Sequence, residues 1–200
     1  PDGSSRTRSR ILGLVAMPRK LADDGVQGTQ ARNSHDFCGL RVDRALGMMP
    51  GVSSKLVSRR DLEFQLYEWL DVERLCTRER FADHSRETFD AALDTAERIA
   101  IDRFLPHRRR GDLEEPGFDG ERVRLIPEVG AAFEAFAGAG LLSATQDDAL
   151  GGMQLPVVVD KACFAYFLAA NAATSAYALL TVANASLLVA HGSPAQVDAF

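Results

Sequence analysis

The chain has 200 residues, of which 46% are hydrophobic, 26% charged and 8% aromatic, and its formal net charge at pH 7 is −5. This is the composition of a globular protein, and it excludes a collagen-like chain, a wholly disordered chain and a disulfide-stabilised miniprotein. Residues 1–60 carry 11 Lys/Arg against 5 Asp/Glu, whereas residues 61–200 carry 12 against 23. The part with organised sequence is therefore acidic, and it does not suggest a nucleic-acid-binding surface.

Residues 1–58 contain scattered Gly, Ser, Arg and Pro without a sustained period, and we interpret them as a disordered or non-native leader. The alternative is a transit peptide over residues 1–48 or the start of a weak signal sequence, because Arg6, Arg8 and Arg10 have few acidic neighbours. The only apolar run there, residues 11–17, is too short to span a membrane. We expect a cytoplasmic protein, or one of the mitochondrial matrix if residues 1–48 are a transit peptide.

The first predicted helix covers residues 61–75 and has one apolar face, formed by Leu62, Leu66, Trp69 and Leu70. The second covers residues 86–104, with Ser85 able to cap its start. Its inward stripe consists of Phe89, Leu93, Ala96, Ala100 and Phe104.

Pro106 ends the second helix, and the basic residues 107–110 follow it. They would form either a phosphate site or a solvated helix end where the dipole favours positive charge, and we favour the helix end.

A polar turn over residues 111–120 and a short extended piece over residues 122–126 come next. Residues 127–139 predict a third helix with Pro127 at its first position and with Val129, Phe133 and Phe136 inward. Two more helices are predicted over residues 156–171 and 174–191. With almost no strand, residues 59–200 are predicted to form an all-α helical bundle.

A helix also begins at residue 194, with Ser193 as its cap and Gln196 as the capping-box partner. Because the sequence stops seven residues into this helix, at Phe200, and opens on Pro1 rather than Met, we interpret the chain as a fragment of a longer protein.

Residues 162–190 are uncharged and, at 29 residues, long enough to span a bilayer. Ala is their main residue, and they include Asn171, Thr174 and Asn184, whereas the residues that dominate membrane insertion are sparse. A helix pair buried in a helical bundle is also apolar on all sides. We therefore favour the buried pair and expect no membrane partner.

The sequence contains no G-x-S-x-G, H-E-x-x-H, P-loop or G-x-G-x-x-G motif, and the histidines His35, His84, His107 and His191 are isolated. Cys38, Cys76 and Cys163 are odd in number and far apart, without a C-x-x-C motif. This argues against a disulfide framework and against a zinc site, and Cys163 is expected to be a buried, inert thiol. We accordingly predict no metal site.

A longer pattern resembles the acyl-CoA dehydrogenase family. Residues 140–152 read GLLSATQDDALGG and are followed by Gln154, Leu155 and Pro156, similar to the turn, acidic Gly-Gly loop and Pro-started helix of that family. Residues 190–196, AHGSPAQ, resemble the start of the family's next helix, and residues 61–81 resemble the extended N-terminus of the methylmercaptopropionyl-CoA dehydrogenase-like subgroup. The loop differs from the commonest family form at residues 147–150.

The resemblance covers residues 59–200 and implies the N-terminal helical domain of a flavin-dependent enzyme that oxidises an acyl-CoA to the 2,3-enoyl-CoA. It implies FAD as cofactor, an electron-transferring flavoprotein or similar acceptor, and a homo-oligomer at full length. The catalytic glutamate of the family lies in a C-terminal domain and has no counterpart here, and no cofactor-binding residue can be carried over. In the family the helix that matches residues 174–191 lines the acyl pocket near its start. On helical spacing, Ser175, Ala176 and Leu179 are the candidates for that wall, and close helix packing by small side chains is the alternative.

Two alternatives remain open. A non-catalytic interaction module with the same fold would lack the downstream carboxylate. A membrane-associated helical protein would use residues 162–190 as its anchor.

Overall fold

The computed structural model describes residues 56–199, and this part of the chain is mostly helical. The leader predicted over residues 1–58 therefore falls almost entirely outside the described residues. The α-helices are α1 (Arg59–Glu63), α2 (Arg86–Ile99), α3 (Arg108–Leu113), α4 (Pro127–Gly138), α5 (Val157–His191) and α6 (Pro194–Ala199). A two-stranded antiparallel hairpin, β1 (Gly117–Phe118) and β2 (Val123–Arg124), connects α3 with α4.

The first predicted helix is wrong in its second half. α1 passes into a π-helical turn, Phe64–Trp69, and Asp71 then adopts a left-handed conformation with φ of 47° before a 3₁₀ segment, Val72–Thr77. A π turn contains more residues than an α turn, so the residues that follow it rotate away from the apolar stripe. Leu62 and Leu66 are buried as expected, whereas Trp69 is 72% exposed and Leu70 is 51% exposed.

α2 agrees with its prediction. The Ser85 hydroxyl accepts from the Thr88 backbone N–H, and the Thr88 hydroxyl accepts from the Ser85 N–H, which forms a capping box. The helix continues as a second π-helical segment, Ala100–Phe104. All five residues of the predicted stripe are fully buried: Phe89, Leu93, Ala96, Ala100 and Phe104.

The centre of the core is aromatic. The ring of Phe167 on α5 lies 4.9 Å from that of Phe104 and 4.9 Å from that of Phe136 on α4, both edge to face. Edge-to-face pairs at this separation stabilise a core beyond the burial of their area. Of the residues predicted to point inward from α4, Phe136 is buried, whereas Phe133 and Val129 are partly buried.

Charged groups attach α1 to α2. The guanidinium of Arg59 donates to Glu63 at 3.1 Å, to Asp94 at 2.7 Å and to Asp90 at 3.3 Å. The Tyr67 hydroxyl donates to the same Asp90 carboxylate at 2.7 Å. Burial, together with this hydrogen bond, raises the pKa of Tyr67. The α1 segment is thus held on the domain by several convergent polar contacts as well as by Leu62 and Leu66.

Candidate functional site

α5 is interrupted at Asn171, between the two helices that the sequence predicts. Asn171 has φ of −161° and ψ of 92°, which is extended backbone inside an otherwise helical run. Its side-chain Oδ1 accepts from the backbone N–H of Thr174 at 3.1 Å, and the Ser175 hydroxyl donates to the Asn171 carbonyl at 2.8 Å. A side-chain acceptor three residues before its donor is the geometry of an N-cap. Asn171 therefore ends the first half of α5 and begins the second.

The interruption is fixed to the end of α2. The Asn171 amide donates from Nδ2 to the carbonyl of Phe104 at 3.2 Å, where the π-helical segment ends. The Nε2 atom of His107 lies 2.8 Å from Oγ1 of Thr174. These polar side chains are buried, and a buried polar group without a partner is costly, so the contacts define one arrangement of the break. We call His107, Asn171, Thr174 and Ser175 the break cluster.

The structure separates the three predicted pocket residues. Ser175 is fully buried, and its hydroxyl is engaged inside the break cluster. Ala176 is exposed, and Leu179, one turn after Ser175, is 42% exposed. Ala176 and Leu179 thus lie on accessible surface at the start of the second half of α5, whereas Ser175 supports that surface from within.

The second half of α5 is exposed and apolar on several sides, so the expectation of a helix pair buried on all sides is wrong for this half. Its large exposed side chains are Tyr177, Leu179, Leu180, Leu187 and Val189. By length and composition α5 is the one described helix that would reach across a membrane; its most apolar 18-residue stretch has a mean hydropathy of 1.5, and 17% of that stretch is buried. One side of this half rests on the domain, because Ala178 is buried and the Ser186 hydroxyl accepts from the Gln146 amide at 3.3 Å.

A cavity of about 210 Å³ lies beside the break cluster. Its lining residues are Asp102, Arg103, Pro106, His107, Arg110, Glu128, Ala131 and Ala132. Arg110 donates to Glu128 Oε1 at 2.5 Å and to Glu114 at 2.8 Å. The pKa of Glu128 is lowered because its own backbone N–H and the Arg110 guanidinium favour the carboxylate. The cavity is therefore polar, and two of its four charged side chains, Arg110 and Glu128, pair with each other.

Of residues 107–110, His107 departs from the expected solvated helix end, whereas Arg108, Arg109 and Arg110 are exposed as expected. His107 is 4% exposed and belongs to the break cluster, and residues from Arg108 onward form α3. The guanidinium of Arg110 forms ion pairs with the carboxylates of Glu114 and Glu128. His107 is buried because it contacts Thr174, 67 positions later in the chain, and no local sequence pattern shows this contact.

The backbone geometry explains the pair Gly151 and Gly152 in the loop over residues 140–152. Gly151 has φ of 73°, and a Cβ atom on Gly152 would lie 2.1 Å from the Gln146 carbonyl oxygen. The loop closes on itself through hydrogen bonds from Gly152 N–H to Asp147 O and from Leu155 N–H to Ala144 O. This fold requires glycine at residue 152, and it sets the direction in which α5 begins.

Among residues 56–199, no group of three His, Cys, Asp or Glu side chains is placed to hold a metal ion. Cys163 is buried, and its burial raises the thiol pKa to about 12, so the group is protonated near neutral pH. Burial and Glu73 also raise the pKa of Cys76. Neither described thiol is an activated nucleophile.

Sequence reasoning missed the break cluster because its residues lie far apart in the chain. The indication in the sequence was the Asn171 and Thr174 pair, spaced as an N-cap inside an apolar run. His84 was also missed: it is buried, and its Nε2 lies 3.0 Å from the Met153 carbonyl oxygen at the end of the glycine loop. A histidine at a loop has no periodic pattern that would reveal such a role.

No protein-family model matches this chain, and no curated protein matches it either.

Proposed function

We propose that the described domain is the N-terminal helical part of a flavin-dependent acyl-CoA dehydrogenase, where it contributes a wall of the acyl pocket. One observation supports this most directly: the second half of α5 presents an apolar, largely exposed surface. A helix exposed in this way indicates an interaction site, because large exposed apolar surfaces are rare on free domains. In the proposal, the remaining domains of the enzyme and the acyl chain cover this helix.

The residues assigned to the wall are Ala176 and Leu179, which are accessible at the start of that helix segment. The small side chain of Ala176 leaves width for an acyl chain, and Leu179 provides apolar contact. Ser175 acts from beneath the wall, since its hydroxyl is bonded to the Asn171 carbonyl and holds the helix start in place.

FAD supplies the redox chemistry in enzymes of this family. The described residues do not fit a flavin: the cavity beside His107 is about 210 Å³, below the range of roughly 300–1,000 Å³ for small-molecule sites. A surface groove of about 580 Å³ at the start of α5 has no aromatic side chain among its lining residues. The proposal therefore places the flavin, the catalytic base and the contacts with an electron-transferring flavoprotein outside the described residues. It includes a cytoplasmic location and a homo-oligomer at full length.

The test is to purify the protein from its native source with an antibody against residues 56–199. We expect a flavin absorbance spectrum and conversion of an acyl-CoA to the 2,3-enoyl-CoA. A purified protein with neither property would contradict the proposal. It would instead favour the second candidate, a non-catalytic interaction module, which the same exposed helix also supports.

A further inference from the structure

A groove of about 580 Å³ lies on the surface at the start of α5. It is lined by Leu70, Asp71, Val72, Arg74, Leu75, Thr77, Arg78 and Val158. Leu70 is 51% exposed at its wall, and the adjoining residues Trp69 and Val157 are 72% and 60% exposed. Tryptophan and arginine side chains are typical of the energetic centre of protein–protein interfaces.

The charge of the groove is positive. Arg74 and Arg78 form no ion pair with any carboxylate among residues 56–199, whereas Arg59, Arg80, Arg86 and Arg110 all do. Asp71 is the single acidic residue of the lining. The groove is therefore complementary to an acidic segment that also carries apolar side chains.

The hairpin after α3 has that chemistry. Residues 112–124 carry five acidic and two basic side chains. Phe118 and Val123 are paired across the two strands, so they share one face of the hairpin, and they are 70% and 61% exposed. Leu113 is 69% exposed, and Glu115 forms no ion pair within the described part of the chain.

The hairpin is held in shape by Asp119. Its Oδ1 accepts from the backbone N–H groups of Glu121 and Arg122 at 3.0 and 2.8 Å, and its Oδ2 accepts from Arg124 at 3.0 Å. These hydrogen bonds favour the carboxylate and lower the pKa of Asp119, and the bond from the Arg122 N–H has the largest effect. The apolar and acidic side chains are consequently presented on a formed turn rather than on a loose loop.

We propose that the hairpin of one copy of this chain, residues 113–123, docks into the Arg74–Arg78 groove of a second copy. Phe118 and Val123 contact Leu70 and Trp69, and Glu115 faces the two arginines. The leader of the same chain is a poorer occupant, because residues 1–55 carry nine basic and five acidic side chains. A flat lipid surface is also a poorer occupant, because the groove is concave. The contact joins two different patches, so it is head to tail, and we expect a dissociation constant in the micromolar range.

The test measures self-association of the full chain by sedimentation at low and high salt. R74E/R78E reverses the charge of the groove, and E115R/F118S replaces the acidic and aromatic contacts of the hairpin. Each double substitution is expected to weaken association about tenfold or more. The decisive experiment mixes the two variants: one still has a hairpin and the other a groove, so they should form a heterodimer that does not grow further. R108E/R109E, which reverses two exposed arginines elsewhere, should behave as wild type.

A second background separates this contact from apolar association through α5. In L180E/L187E the exposed half of α5 is charged, and the salt-dependent association should persist there, while R74E/R78E should still abolish it. A monomeric wild type at about 100 µM, or variants that associate like wild type, would overturn the proposal. So would a mixture that yields no heterodimer. One further result would overturn the proposal: wild type binds phosphatidylserine vesicles without self-associating, and R74E/R78E removes that binding. This result would assign the groove to a lipid surface.

Discussion

The Nε2 atom of His107 lies 2.8 Å from the Oγ1 atom of Thr174, although the two residues are 67 positions apart. This contact joins the segment after α2 to the second half of α5, directly after the interruption at Asn171. The angle between the two halves of α5 is therefore fixed by buried polar groups. The proposed function depends on that angle, because it sets where Ala176 and Leu179 lie.

Asn171→Ala should destabilise the domain by about 2 kcal/mol, since it removes an N-cap and a buried hydrogen bond to the Phe104 carbonyl. Asn184→Ala, on the exposed part of the same helix, is the matched control and should change stability by less than about 0.5 kcal/mol. Urea unfolding followed by circular dichroism measures both. Equal effects of the two substitutions would show that the break is not held by Asn171.

Gly152→Ala and Gly130→Ala should change stability in opposite directions. At residue 152 an added Cβ would lie 2.1 Å from the Gln146 carbonyl oxygen, so the loop must move and the protein is destabilised. At residue 130, inside α4, nothing lies within 4 Å of an added Cβ, and alanine should stabilise the helix by about 1 kcal/mol. Thermal unfolding of the two variants provides the comparison; a stabilised Gly152→Ala would contradict the loop geometry.

Stability should fall as the pH rises from about 9 to 12. The pKa of Cys163 is raised to about 12 in the folded state, against an ordinary value of about 9 in the unfolded chain, so the unfolded state loses its proton first and is favoured. The raised pKa values of Tyr67 and Tyr166 act in the same direction. Cys163→Ala should make the decline shallower in urea titrations across this range. An unchanged slope would mean that the Cys163 thiol is accessible, and iodoacetamide labelling of the native protein checks this independently.

Leu179→Trp and Ala176→Trp should reduce kcat/KM for long acyl-CoA substrates more than for short ones in the full enzyme, because a bulky side chain narrows the proposed wall. Val189→Trp, exposed further along the same helix, is the control and should leave the chain-length preference unchanged. An equal loss of kcat/KM for all chain lengths would mean that Ala176 and Leu179 do not select the substrate. Turnover by initial rates with two acyl-CoA lengths is sufficient to decide this.

The sequence predicted the elements whose pattern is local. The five-residue stripe of α2 and its Ser85 cap follow from helical spacing alone, and the split in α5 follows from polar residues in an apolar run. It failed where backbone geometry changes the period: the π turn before Asp71 exposes Trp69 and Leu70, which regular helical spacing had placed inside. The role of His107 could not be predicted, because it depends on a partner in another helix.

We propose that the exposed half of α5 is covered by the other domains of a flavoenzyme. The most direct measurement is the sequence of the gene beyond the codon for Phe200. We expect the reading frame to continue into a strand-rich segment and then into a long helical one with an inward-facing glutamate. A stop codon immediately after Phe200 would contradict the dehydrogenase proposal and leave the interaction module as the function of this domain.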